Sequence, residues 1–207
     1  FVSDAFRRGA QLEQQGQYFR AAEAYLVILG SPPRNQKARV DLSRIIDQGI
    51  AEKRSSAAGM ETELMLDEAI AEMDAARRLL QRSASFDVES GQASLVESRR
   101  SQLVDRRVQA LLVEAARARE GGLWSAALAN LQRVEALSPG YGQTRERMRE
   151  VWVDWADANE SEGRLRAAAM RLEEATRVPG ERSSAISARA AAIRSALGMS
   201  DLRNGAC

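Results

Sequence analysis

An all-α fold, built from consecutive antiparallel helical hairpins and closed by a capping helix, is predicted by three features of these 207 residues. Apolar residues recur at spacings of three and four, the period of an amphipathic helix. All four prolines stand 16 or 17 residues beyond a glycine that separates two such stretches: Pro32 and Pro33 after Gly16, Pro139 after Gly122, Pro179 after Gly163. Aromatic residues make up only 5% of a chain that is 44% hydrophobic and rich in Ala, which favours close helix packing over a large aromatic core.

The elements follow in order. Helices are expected over 2–15 and 18–30, reversed at Gly16, which tolerates backbone angles that other residues avoid. Helices over 35–57 and 61–82 come next, and then a polar loop from 83 to 92 containing Ser83, Ser85, Phe86 and Gly91. A long helix spans 93–120, where Val104, Val108, Leu111, Ala115 and Ala118 form one apolar seam. Helices at 124–137, 142–161 and 165–177 continue the alternation, each second helix being stopped by a proline. The last helix, 182–198, carries Ile186, Ala190, Ile193 and Leu197 and is expected to cover the open apolar end, with a flexible tail over 199–207. The domain reading is therefore 1–82, a loop at 83–92, and 93–198.

The residues around each glycine repeat with the punctuation. Two places beyond it stand Tyr18, Trp124 and Leu165, followed by Ala21, Ala127 and Ala168, and then by Tyr25, Leu131 and Leu172. Seven places before it stand Gly9, Ala115 and Ala156, small enough for two helices to approach closely. In these residues the chain resembles the tetratricopeptide repeat (TPR) family, a helix-turn-helix unit of about 34 residues. Segments 2–35, 108–141 and 149–182 carry the resemblance. In the last of these Pro179 comes one place early and Asn159 replaces a bulky residue. A fourth, degenerate unit around Leu66, Ala69, Ile70, Met73 and Ala76 lacks both the turn glycine and the closing proline. The resemblance implies a superhelix with a concave groove lined by the first helix of each hairpin.

Composition excludes several chemistries. With no histidine, a Ser-His-Asp or Cys-His arrangement is impossible, as is any His-containing metal site. The one cysteine, Cys207, can close no internal disulfide. Neither Lys37 nor Lys53 follows a glycine, so no P-loop exists. Carboxylate pairs such as Glu173/Glu174 and Asp154/Asp157 read as a solvated helix face, and Gly140-Tyr141-Gly142 reads as a turn between repeats. No cofactor and no catalytic residue is assigned, and an enzyme is not expected. Thirty basic against 29 acidic residues argue against a dedicated nucleic-acid binder. Six arginines between Glu97 and Arg119 lack interleaved aromatics and read as a solvated face. Trp152 is expected in the core, whereas Trp155 is open to either the inter-repeat core or the groove.

Carried over by the resemblance, the groove residues are Phe6, Ala10, Arg54, Leu112, Ala116, Arg119, Glu150, Val153, Asp157 and Glu160. This lining departs from the carboxylate clamp of co-chaperone TPR proteins. Its last hairpin is acidic, which points to a protein partner offering an apolar segment with a basic end. The expectation is a non-enzymatic scaffold or adaptor within a bacterial multiprotein assembly. A structural spacer or self-associating module of a larger protein is the alternative. No apolar run approaches a membrane span. The chain opens on Phe1, so an upstream signal or anchor would lie outside it, and the compartment stays open between bacterial cytoplasm and periplasm.

Overall fold

A computed structural model of the chain describes residues 2–31, 35–61, 65–179 and 183–204. Pro32, Pro33, Arg182 and Cys207 lie outside the described residues. Among the described residues there are nine α-helices, one short 3-10 turn and no strand. The helices are α1 (Val2–Gln14), α2 (Tyr18–Leu29), α3 (Gln36–Gly59), α4 (Leu66–Ala84), α5 (Ala93–Glu120), α6 (Trp124–Leu137), α7 (Thr144–Ser161), α8 (Leu165–Arg177) and α9 (Ser183–Asn204). α1 to α4 pack each against the next in sequence, and so do α6 to α9. Two compact units divide the chain at residues 107 and 108, a place inside α5.

Three of the reversals share one backbone solution. Gly16, Gly122 and Gly163 have φ of 72°, 70° and 75°, in the left-handed region. The N–H of each glycine donates three residues back, to Glu13, Arg119 and Glu160. The following N–H donates five residues back, from Gln17 to Leu12, Leu123 to Ala118 and Arg164 to Asn159, at 2.8–2.9 Å. This is the Schellman closure, which satisfies the last carbonyls of the first helix and needs a residue without Cβ strain at its left-handed position. Asn159 fits into the third copy by donating its side-chain amide to the Trp155 carbonyl at 2.7 Å, while accepting from Arg164 at 2.9 Å. Pro179 comes early because α8 stops at Arg177, and Val178 before the proline is already extended, as that position prefers.

In unit 1, Tyr25, Leu26, Leu42, Ile45, Ile46 and Ile50 form the centre of the core. Gly9 lets α1 and α2 cross closely, since a Cβ there would meet Tyr25 Cε1 at 2.7 Å. The corresponding residues in unit 2 are Ala115 and Ala156, both buried, with Leu131 and Leu172 in the place of Tyr25. The bulky ring thus coincides with the smaller crossing residue. Gly49 serves α2 and α3 likewise, its missing Cβ leaving room for the Phe19 backbone. Close by, Glu52 accepts from the Phe19 N–H at 3.0 Å, satisfying one of the donors that a helix start leaves free.

Several boundaries differ from expectation. The polar stretch after α4 is a packed turn: α4 continues to Ala84, Val88 is 1% exposed in the unit 1 core, and Ser90 donates to Asp47 on α3 at 2.5 Å. Val88 is the apolar anchor that the polar composition concealed, with Phe86 packed against the same core. The break expected at 83–92 therefore does not separate the units. α9 runs on to Asn204, so residues 199–204 of the expected tail are helical, because nothing beyond Gly198 breaks the chain. The Gly140-Tyr141-Gly142 stretch is a tight left-handed turn. Its Gly140 N–H donates to the Glu135 carboxylate at 3.0 Å.

The Gly9–Tyr25 crossing predicts a change of sign. In the wild-type background Gly9→Ala should lower unfolding stability, because overpacking of about 1–3 kcal/mol exceeds the roughly 1 kcal/mol gained in helix propensity. In a Tyr25→Leu background the same substitution should be neutral or stabilising. Urea titration of the four variants reads both effects.

Candidate functional site

The groove residues expected from the sequence fall in both units. Phe6 packs against the unit 1 core, with ring centroids 5.5 Å from Tyr25 and Lys37 Nζ 4.8 Å from its own ring. Ala10 is half-buried on the same helix. Arg54, on α3, donates to the Gln92 amide oxygen at 2.7 Å and lines a shallow cavity with Ala51, Ser55, Ala58 and Arg99.

The remaining seven residues all lie in unit 2, on α5 and α7. Leu112, Ala116, Arg119 and Glu150 line one cavity of about 450 Å³, with Leu131 and Val151 in its apolar floor. Val153 lines a second cavity of about 460 Å³ between α7 and α9, with Ala185 and Ile186 opposite. Glu150 and Asp154 belong to both cavities, so the two adjoin along α7. The helical period explains this: residues 150, 153, 154, 157 and 160 share one face of α7.

Asp157 and Glu160 are engaged within the chain. Arg189 of α9 donates to Asp157 at 2.5 Å and to Glu160 at 2.9 Å. Arg119 of α5 likewise reaches Asp154 at 2.5 Å and Glu150 at 2.8 Å. In unit 1, Arg44 of α3 clasps Glu13 of α1, with Asp41 at 3.5 Å. In each case one arginine lies between two carboxylates and joins the first helix of one hairpin to the next first helix in the chain. The Arg119 pKa is raised, mainly by its bond to Asp154. Burial of Arg189 opposes its charge, but the bonds to Asp157 and Glu160 outweigh that and raise its pKa. Glu13 is held below the usual carboxylate value, principally by its hydrogen bond from Arg44. Burial, with the Glu13 charge nearby, pushes the Tyr25 phenol up to about 12.

Four further arginines of α5 are also engaged. Arg100 reaches Asp74 at 2.5 Å, Arg107 reaches Asp67 at 3.0 Å, and Arg99 and Arg106 both approach Glu61. Trp152 and Trp155 stack at 5.4 Å with rings 6° from parallel, both packed against the core cluster of α5 and α6. The Arg171 guanidinium of α8 lies 3.7 Å from the ring centre of half-buried Trp155.

Arg149 was not expected as a site residue. It is 3% exposed, lines the α7–α9 cavity, and donates to the carbonyls of Val178 and Pro179 at 3.3 and 2.7 Å. Its signal in the sequence is positional: it stands three before Trp152 and seven before Ala156, on the buried row of α7. Among the described residues no group of acidic or cysteine side chains is placed to hold a metal ion, and no helix is long and apolar enough to cross a membrane.

Two outcomes are expected. Arg149→Met removes the donor serving two carbonyls at the end of α8, and should cost about 2–3 kcal/mol in urea unfolding with faster amide exchange near Val178. For Glu13 the pKa is lowered on folding, so its contribution is present above the ordinary value of 4.5 and is lost as pH falls through the lowered one. Glu13→Gln should therefore flatten the acid limb of the stability–pH curve of the wild type. No protein-family model matches the chain, and no curated protein matches it.

Proposed function

We propose that this chain is a TPR-like, non-enzymatic scaffold that binds a protein segment along the α5, α7 and α9 face of unit 2. The observation that carries this reading is the pair of adjoining cavities, with apolar floors at Leu112, Leu131 and Val151 and at Val153 and Ile186. Their dimensions suit alternate side chains of an extended segment or successive turns of a helix. Charge supports the basic end of that segment. Arg119 and Arg189 stand against four carboxylates, Glu150, Asp154, Asp157 and Glu160, so each clasp retains one negative charge. Such a surplus steers a basic partner and sets its direction more than it adds affinity. Assembly of a multiprotein complex is the role this arrangement fits.

The reading is best tested where the scaffold is left intact. Asp157 and Glu160 hold Arg189, so reversing their charge would disturb α7 against α9 as well as the groove. Ala116 and Ala185 are exposed and line the two cavities. A protein retained from a lysate of the source organism by the wild type should be lost by Ala116→Arg/Ala185→Arg and kept by Met170→Arg, which alters an exposed residue of α8. Retention should weaken with added salt. Equal retention by the wild type and both variants would sink the groove reading, and recovery of the bait alone would favour the self-associating module.

A further inference from the structure

The internal repeat points to the kind of side chain that the cavity between α5 and α7 takes. Setting Gly16 on Gly122 pairs α1, α2 and α3 of unit 1 with the unit 2 part of α5, α6 and α7, without a gap. Buried Ala38 then falls on buried Thr144, and buried Ile45 on buried Val151. The ionic clasps agree with this register. Glu13 falls on Arg119 and Arg44 on Glu150, so one contact is made in both units with its charges exchanged.

Leu112, Ala115, Leu131 and Val151, all lining the cavity, stand where unit 1 has Phe6, Gly9, Tyr25 and Ile45. In unit 1 the chain fills this place itself. The Phe6 and Tyr25 ring centroids are 5.5 Å apart on a core that includes Ile45, and Lys37 Nζ stands 4.8 Å from the Phe6 ring. The exchanges at Phe6, Tyr25 and Ile45 shorten the side chain, whereas that at Gly9 adds a methyl group. Together they remove as many side-chain heavy atoms as one phenylalanine carries, and the cavity of about 450 Å³ opens there.

The rim indicates what stands beside the ring. The place of Lys37, the cation over Phe6, is taken in unit 2 by neutral Gln143. Glu150 and Asp154 share Arg119, while Glu120 and Arg147, also at the cavity, offset each other in charge. One carboxylate charge is thus left over, and a cation on the occupant complements it. An aromatic ring gains most from such an apolar, close-fitting floor. We propose, on the scaffold reading, that this cavity takes an aromatic side chain of the partner segment. Phenylalanine is the residue that fits, with a lysine or arginine next to it.

The test uses the full chain and two small cations, phenethylammonium and isopentylammonium, which place a ring or a leucine-like branch beside the same charge. In methyl NMR spectra the phenyl probe should shift Leu112, Leu131 and Val151. The branched probe should bind at least about fivefold more weakly, since it buries less apolar surface. Leu112→Phe gives unit 2 the residue of unit 1, and should abolish binding while keeping or raising the urea midpoint. Val151→Ile should weaken binding without unfolding the chain. No binding of either probe, equal binding of both, shifts confined to residues outside the cavity, or binding undiminished in Leu112→Phe would overturn the proposal. The lysate experiment separates this failure from that of the scaffold reading. A protein lost by Ala116→Arg/Ala185→Arg but kept by Leu112→Phe would overturn the aromatic anchor alone. If Ala116→Arg/Ala185→Arg loses nothing, the scaffold reading falls, while the ring preference of the cavity is still read by the probes.

Discussion

The close crossing of two helices at a small residue is the constraint on which the hairpins depend. A left-handed glycine reverses the chain, but the reversal only brings the helices near each other. They come into contact because Gly9, Ala115 or Ala156 leaves room for Tyr25, Leu131 or Leu172. The size relation is compensated within each hairpin, so the crossing residue and its partner behave as one unit of packing. Interiors are close-packed, and one methyl group at Gly9 is therefore felt directly by the Tyr25 ring. Tyr25 in turn carries its hydroxyl to Glu13, which holds Arg44, so the crossing also fixes where the first ionic clasp forms.

The near-equality of basic and acidic residues follows from this architecture. Once the hairpins stack, arginines and carboxylates on adjacent helices come within reach of one another: Arg44, Arg100, Arg107, Arg119 and Arg189 all find partners on another helix. Apart from that of buried Arg107, pairs this exposed each contribute little stability, in the range of about 0–1 kcal/mol. Their effect is on register, since a helix slipped by one turn would separate several pairs at once. Arg149 differs in kind, because its guanidinium is buried and serves backbone carbonyls that would otherwise lack a donor.

Much of the helical order was legible because it rests on local chemistry. Glycine-proline spacing and apolar periodicity marked the ends of α6 and α8 and the reversals at Gly16, Gly122 and Gly163. The loop after α4 was legible but its packing was not: the burial of Val88, and the contact of Phe86 with it, depend on a core assembled from distant residues. The division inside α5 has no local mark at all, since a continuous helix carries no punctuation where its surroundings change. At the candidate site, the family resemblance singled out Glu150, Val153, Asp157 and Glu160, which the period of α7 puts on one face. What periodicity could not supply was the identity of their partners, because Arg119 and Arg189 come from helices some 30 residues away in sequence.

The same division explains why the fold speaks more plainly than the function. In each hairpin the second helix is committed to packing: α2 buries Phe19, Ala21, Ala22, Tyr25, Leu26, Ile28 and Leu29, leaving little to vary. The first helix is packed on one side as well, α3 burying Ala38, Leu42, Ile45, Ile46, Gly49, Ile50 and Ala57, but its outward face is under no comparable steric demand. On α5 and α7 that face carries exposed Ala116, half-buried Leu112 and Val153, and carboxylates shared with Arg119 and Arg189. Replacing Ala116 would leave every hairpin crossing untouched, whereas replacing Ala115 beside it would not. Recognition in such an architecture is thus written in residues that the hairpin crossings do not constrain, and their meaning depends on the shape and charge of the molecule that meets them.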